Sequence, residues 1–407
     1  MAEERMVAAL DIGTTQIVAL VGEMDEDGGI YVIGHGVAPA EGLKRGVVVD
    51  MEKTVKSIVK AIGDAQMTSG TEIDRITVGI AGEHIRSINS HGVVAVGRSD
   101  QEISKSDIKR AVDAARAVAI PVDREIIHVI PQSYSVDDQA GIKDPIGMSG
   151  VRLEVQAHIV TASVTTAKNI YRALERCNLG VDHIVLESLA ISKVLLSEAE
   201  KENGVVLVDV GGDLTNISVF LEGAIQHTAV VPLGSRNVTN DIAIGLRTSV
   251  ESAEELKLAH GNALASMVNA EEMIEVPGVA GKPPREISQH VLASIIEPRM
   301  EEIYSLVYRE IKKAGATEIM AGGLVLTGGG VMLAGSVELA EQIMDAPVRW
   351  GELRGIASTP DELNNNRFVT AHGLLAYGFE TEPLDSSSSA GVKGFFKRFE
   401  NWIQRQF

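Results

Sequence analysis

At 407 residues the chain exceeds one ordinary core, and a composition that is 45% hydrophobic but 4% aromatic describes a globular protein with an aliphatic interior. A single cysteine, Cys177, excludes an internal disulfide framework, and the net charge of −19 argues against nucleic acid as the main ligand, because phosphate backbones draw Lys and Arg. No run of eighteen apolar residues offers a membrane span, and Met1–Arg5 lacks the basic-then-apolar order of a signal peptide.

In chain order, Val7–Leu10, Ile17–Val21 and Ile30–Val37 read as strands, Val55–Ala65 as a helix and Ile76–Ile80 as a short buried strand. A semi-independent block follows from about Glu83 to Thr161. It holds strand Gly92–Val96, helix Ser106–Val118 capped by Ser104 or Ser106, and strands Glu125–Ile130 and Val151–Thr161. Helix Thr166–Cys177, strand His183–Leu186 and helix Ala190–Lys201 come next, an alternation that predicts a mostly parallel sheet covered by helices. Cys177 continues that first helix's apolar face and reads as a small buried hydrophobe. The second half offers helices Val238–Ile244, Ala253–His260 and about Ser288–Ala314, then strand Leu324–Thr327. Glu382–Gly391, with four consecutive serines, is a linker.

The chain ends in an amphipathic pattern. Val392, Phe395, Phe396, Phe399, Trp402 and Ile403 share one helical face, with Lys393, Lys397 and Arg398 mostly elsewhere. From Ser386 onward four basic residues stand against one glutamate, leaving the rest of the chain at −22. Aromatics flanked by basic residues on a linker suit a helix lying in an anionic headgroup region. The competing reading is a terminal helix docked on its own core.

The opening pattern returns half a chain later. Ala9–Leu20 contains Asp11, Gly13, Thr14, Thr15 and Gln16; Val208–Val219 contains Asp209, Gly211, Gly212, Asp213, Thr215 and Asn216. Each is an apolar strand ending in Asp, a glycine turn, hydroxyl or amide residues, and another strand, which predicts two similarly built halves. Glycine turns offer backbone N–H groups to phosphate oxygens, Thr14, Thr15 and Thr215 add hydroxyl donors, and Asp11 facing Asp209 suits a hydrated magnesium ion. Gly328, Gly329 and Gly330 after a strand permit close approach of a flat ligand, or are an ordinary strand-end turn. No Gly-x-x-x-x-Gly-Lys-Ser/Thr is present, so a P-loop mechanism is excluded.

Asp11–Gln16 resembles the first phosphate loop, Asp209–Asn216 the second, and Leu326–Leu333 the adenosine loop of the actin, hexokinase and heat-shock chaperone ATPase superfamily. Glu187 stands where that fold makes its first inter-domain connection, and Ala371–Gly378 resembles the second. The resemblance implies an α/β actin-like fold: two ribonuclease-H-like domains, each with an inserted subdomain, and a nucleotide cleft between them. It implies ATP with magnesium as ligand, Asp11, Asp209 and Gln16 orienting ion and water, and Glu254 and Lys257 flanking adenine and ribose. That last pair is equally an ordinary i,i+3 ion pair.

The block at about 84–162, the segment Ile296–Glu302 with Glu297, Pro298 and Arg299, and the linker with its tail together resemble the bacterial cell-division FtsA family over essentially the whole chain. The implied subdomains are 1–83 with 162–197 and 367–381; 84–161; 198–233 with 305–366; 234–304; a linker 382–391; and a membrane helix 392–407. The family role is a self-assembling ATP-binding adaptor, with at most weak ATPase activity, that tethers the FtsZ ring to the cytoplasmic face of the membrane and helps recruit downstream division proteins. Arg285 and Arg299 match basic positions that dock the FtsZ C-terminal peptide, or are solvated arginines. A small-molecule kinase of the same fold, or a scaffold of another membrane assembly, stays open as an alternative.

Overall fold

A computed structural model describes residues 5–97, 102–278, 283–316 and 321–381. The linker and the amphipathic tail lie outside the described residues.

Each half begins with a three-stranded antiparallel meander. In the first half Arg5–Ile12 pairs with Gln16–Met24, which pairs with Ile30–Pro39. In the second, Val205–Val210 pairs with Thr215–Leu221, which pairs with Ala224–Val231. Parallel strands join on the far edge of each opening strand: Arg75–Ile80 and then Gly180–Leu186 in one half, Leu324–Thr327 and then Val348–Trp350 in the other; in the first sheet Ile356–Ser358 also joins Ile30–Pro39 in parallel. The sheets are mostly parallel in strand direction, as expected, but mixed in pairing: one strand of each, Gln16–Met24 and Thr215–Leu221, runs against all the others. Short hairpins force antiparallel pairing, and helical crossovers deliver the parallel strands beside each opening strand. The sequence pattern missed strand Ala224–Val231. Its signal was the Glu222–Gly223 turn, both residues at positive φ as a two-residue hairpin requires.

The block between the first-half strands forms its own four-stranded antiparallel sheet. Arg86–Ala95, Arg152–Ser163, Arg124–Val136 and Gln139–Ile142 lie in that spatial order. Helix Lys105–Arg116 covers one face and buries Ile108, Ala111, Val112 and Ala115 against Val155, Ala157 and Ile159. Ser104 is the cap, its N–H given to Asp107 at 2.9 Å.

The expected helix Ala190–Lys201 is two helices, Glu187–Leu195 and Glu198–Asn203. Leu196 closes the first and Ser197 caps the second. Its hydroxyl accepts the Glu200 N–H, and the Glu200 carboxylate takes the Ser197 N–H at 2.7 Å, a capping box that competes with continuation of the helix. The break marks the first passage between halves, and helix Val369–Glu380 marks the second. The two connecting helices cross in close contact at Gly373, where a Cβ would strike the Ala190 carbonyl. Among the described residues no helix is long and apolar enough to cross a membrane.

Candidate functional site

The two hairpins that open the halves have matching registers. Ile12 pairs with Ile17 and Val210 with Thr215, so Gly13–Gln16 and Gly211–Leu214 are equivalent four-residue loops. They meet across a cleft of about 320 Å³, within the range of small-ligand sites. Asp11, Gly13, Thr14, Thr15, Gln16, Asp209, Gly211, Gly212, Asn216, Glu254, Lys257 and the glycines Gly328–Gly330 all line it. The loops interlock. The Asp213 N–H donates to Thr14 Oγ1 at 3.3 Å, Arg236 Nη2 donates to the Thr14 carbonyl at 2.9 Å, and a Cβ on Gly212 would collide with Thr15 Oγ1. Gly328 takes φ +91°, and a Cβ there would strike Asp209 and the Val210 carbonyl. The glycines are thus what lets bare backbone face the cleft.

Two expected members stand back from the lining. The register makes Thr215 the counterpart of Ile17, not of the loop threonines. It is fully buried, and its hydroxyl donates to the Leu233 carbonyl at 2.9 Å, so it cannot serve as a donor in the cleft. Asp213 is also buried. It pairs with Arg236 at 3.0 Å and accepts the Arg45 N–H at 3.1 Å, so it shapes the loop from behind.

Three carboxylates share the cleft floor. Asp11 is raised to about 7, first by burial and then by Asp209. Glu187 is raised well above the carboxylate range by burial, Asp11 and Asp209. Burial raises Asp209, opposed by the amide of Asn216 at 3.1 Å. None of the three forms an ion pair among the described residues, so the group suits a cation that would relieve its repulsion. Among the described residues no set of three His, Cys, Asp or Glu is placed to ligate a metal directly. The sequence marked Glu187 only as a connection. The fold brings it to the floor because the first connecting helix starts there.

Lys257 is buried, with Nζ donating to Glu254 at 2.8 Å, Thr239 Oγ1 at 2.9 Å and the Ser235 carbonyl at 3.4 Å. The pair is therefore more than a solvated helix contact. Burial lowers Lys257; burial also raises Glu254, but its bonds to Lys257 and Thr239 prevail and the net shift is downward. Gln16 is engaged on both sides: Arg367 Nη2 donates to its Oε1 at 3.0 Å, and its Nε2 donates to the Arg367 carbonyl at 3.3 Å. Sequence reasoning missed Arg367, whose only signal was its place beside the second connecting helix.

The other singled-out residues lie elsewhere. Arg299 reaches Asp241 at 2.6 and 3.2 Å and also pairs with Glu302, and Arg285 donates to the Leu246 carbonyl at 2.7 Å. Both arginines are engaged by their own subdomain. His372 is buried between the Phe368 carbonyl and Thr359 Oγ1, each at 2.9 Å, as a structural residue. Burial raises the Cys177 thiol to about 11, consistent with an unreactive packing residue.

Residues 206–373 match the family described as cell division protein FtsA, and residues 82–161 match the SHS2 domain inserted in FTSA. The chain is 46% identical to the cell division protein FtsA of Pseudomonas aeruginosa, covering 99% of this chain and 98% of that protein. Identity is 37% with the FtsA of Escherichia coli K12, over 100% of this chain and 99% of that one. Among solved structures it is similar to a PilM–PilN type IV pilus biogenesis complex (TM-score 0.67, 15% identity, 91% of this chain and 97% of that one). It is also similar to MreB5 of Spiroplasma citri bound to ADP (TM-score 0.57, 12% identity, 92% and 97%). Two such halves around a shared cleft, with this insertion in the first, make the fold actin-like, and full-length identity of this degree places the chain in the FtsA family of cell division proteins.

Proposed function

We propose that the chain binds ATP with magnesium between its halves and acts at the cytoplasmic face of the bacterial membrane as a self-assembling adaptor that tethers the FtsZ ring. The observation that carries the nucleotide reading is the meeting of two glycine loops from opposite halves above three carboxylates, Asp11 and Asp209 buried and Glu187 partly so. Backbone N–H groups of Gly13–Thr15 and Gly211–Gly212 would hold phosphates, Asp11 and Asp209 would hold magnesium through water, and Gly328–Gly330 with Glu254 and Lys257 would face the nucleoside. When bound, magnesium supplies positive charge that offsets both the phosphates and the carboxylate floor. With Gln16 held by Arg367 rather than poised alone over the cleft, the site reads as one for binding with at most weak hydrolysis.

The membrane reading is carried by the sequence of Val392–Phe407 on its serine linker. One such helix binds reversibly, and self-association multiplies tails on one surface. The FtsZ C-terminal peptide is assigned to the 234–304 subdomain. Arg299 would have to exchange Asp241 for an acidic peptide group to take part.

Sedimentation with anionic vesicles, with and without ATP, tests the adaptor reading beside a chain truncated after Ser389. The full chain is expected to pellet and the truncated one to stay in solution. Equal behaviour of the two would overturn the membrane role.

A further inference from the structure

The inserted block belongs covalently to the first half, yet its side chains grip the second. On one side His128 Nε2 accepts the Leu186 N–H at 2.9 Å in a buried contact, and Leu186 immediately precedes Glu187 on the cleft floor. On the other side lies the edge strand Ala224–Val231. Gln132 Nε2 donates to the Ile225 carbonyl at 2.9 Å, Asn89 Nδ2 to Gln226 at 3.2 Å and Ser87 Oγ to Thr228 at 3.2 Å. The His158 ring spans Asn89 Oδ1 at 2.7 Å and Thr228 Oγ1 at 3.2 Å. An amide oxygen only accepts, so His158 carries its proton on Nδ1 and its Nε2 accepts from the Thr228 hydroxyl. Lys143 pairs with Glu202 beside the first connection.

These contacts lead straight to the cleft. Asn216 pairs with Val230 in the gripped strand's ladder, and its amide holds Asp209 at 3.1 Å. Between the two faces sits a cavity of about 20 Å³, lined from one half by Ile85 and Leu186 and from the other by Asn216 and Thr228. The divide is bridged by these directional bonds beside apolar packing, with Ile130 against the cluster that holds Ile225 and Val230 against the one that holds Ile127 and Val160.

We propose that the inserted block is a brace across the two halves, holding the phosphate loops in their interlocked, ligand-ready arrangement. Nucleotide in the cleft and load on the inserted block are then linked: a partner that pulls the block from strand Ala224–Val231 weakens nucleotide binding, and nucleotide strengthens the grip by the same factor. The coupling rests on the nucleotide reading above. Its physical origin is preorganisation, since loops already aligned spend less of the binding free energy on ordering.

The test is calorimetric titration of the full chain with ATP and magnesium, for the parent, for Gln132→Ala and for the double variant Ser87→Ala/Asn89→Ala, beside hydrogen exchange of strand 224–231 with and without ATP. Because Gln132 is buried, the more exposed double variant keeps the test decisive should Gln132→Ala fail to fold. The brace requires each folded variant to bind ATP about fivefold or more weakly, and ATP to slow exchange in that strand of the parent. Parent-like affinity in the folded variants, with exchange indifferent to ATP, overturns the brace while leaving the nucleotide site standing. A parent that binds no nucleotide sinks the nucleotide reading and the coupling with it.

Discussion

The two glycine-containing loops occupy equivalent places in their hairpins but present opposite chemistry. Gly13–Gln16 offers side chains, with two threonine hydroxyls and an amide at the lining; Gly211–Leu214 offers little but backbone. The second loop's one acid is turned away and tied to Arg236 and to the Arg45 N–H. The glycine-rich loop is bare because the threonine loop needs the room, as the collision awaiting a Cβ on Gly212 makes plain. Under the proposed nucleotide reading one loop would act through hydroxyl donors and the other through closeness of approach, and a substitution should have a different consequence in each.

The largest expected effect is at the point of closest approach. Gly212→Asp adds a side chain against Thr15 and a fourth carboxylate to an acidic floor. ATP affinity by calorimetry should fall about a hundredfold, roughly 2.7 kcal/mol. Gly329→Asp meets only the Arg367 stem, at 3.3 Å, and so should fold normally while weakening ATP by a smaller factor. Equal losses in the two would mean that room between the loops does not set the affinity.

A threonine pair separates site from scaffold. Thr15→Val should cost about tenfold in ATP affinity and little in stability. Thr215→Val strands the Leu233 carbonyl and should cost about 1 kcal/mol in denaturant unfolding, with affinity nearly unchanged. If Thr215→Val weakened ATP as much as Thr15→Val, the register-based equivalence of Thr215 with Ile17 would be wrong in its functional meaning.

That pair also illustrates what the sequence could carry. The repeat of strand, Asp, glycine and strand was legible because each feature is local, and it placed Asp11 and Asp209 in one cleft. Thr215 stands apart because a hydroxyl near a glycine turn says nothing about which way it faces; the ladder puts it inside the strand, where Leu233 takes its hydrogen bond. Glu187, Arg367 and the grip of Gln132 on Ile225 could not be read in advance, since each depends on segments tens to hundreds of residues apart arriving together. The split at Ser197 was legible in principle as Ser-x-x-Glu, a capping box hidden inside an apolar run that favoured one long helix.

The smallest effect lies where the second loop's supporting strands meet the inserted block, a contact the first loop lacks. Burial, followed by His227 and His128, lowers His158 from 6.5 to about 4. Such a ring takes up a proton more readily once exposed, so its contribution is fully present above pH 6.5 and is lost as pH falls toward 4. At pH 6 the opened state should gain about fourfold from this ring alone. Hydrogen exchange along Ala224–Val231, corrected for the intrinsic effect of pH, should therefore lose protection on acidification before strand Val205–Val210 does. His158→Gln, which cannot titrate, should flatten the response. An unaltered response in that variant would place the acid sensitivity in one of two other rings: His227, on the strand itself and lowered by burial, or His128, which accepts the Leu186 N–H and is lowered to about 4. A further His227→Gln variant separates them: a flattened response puts the titrating group on the gripped strand, an unaltered one on the first-half side of the brace.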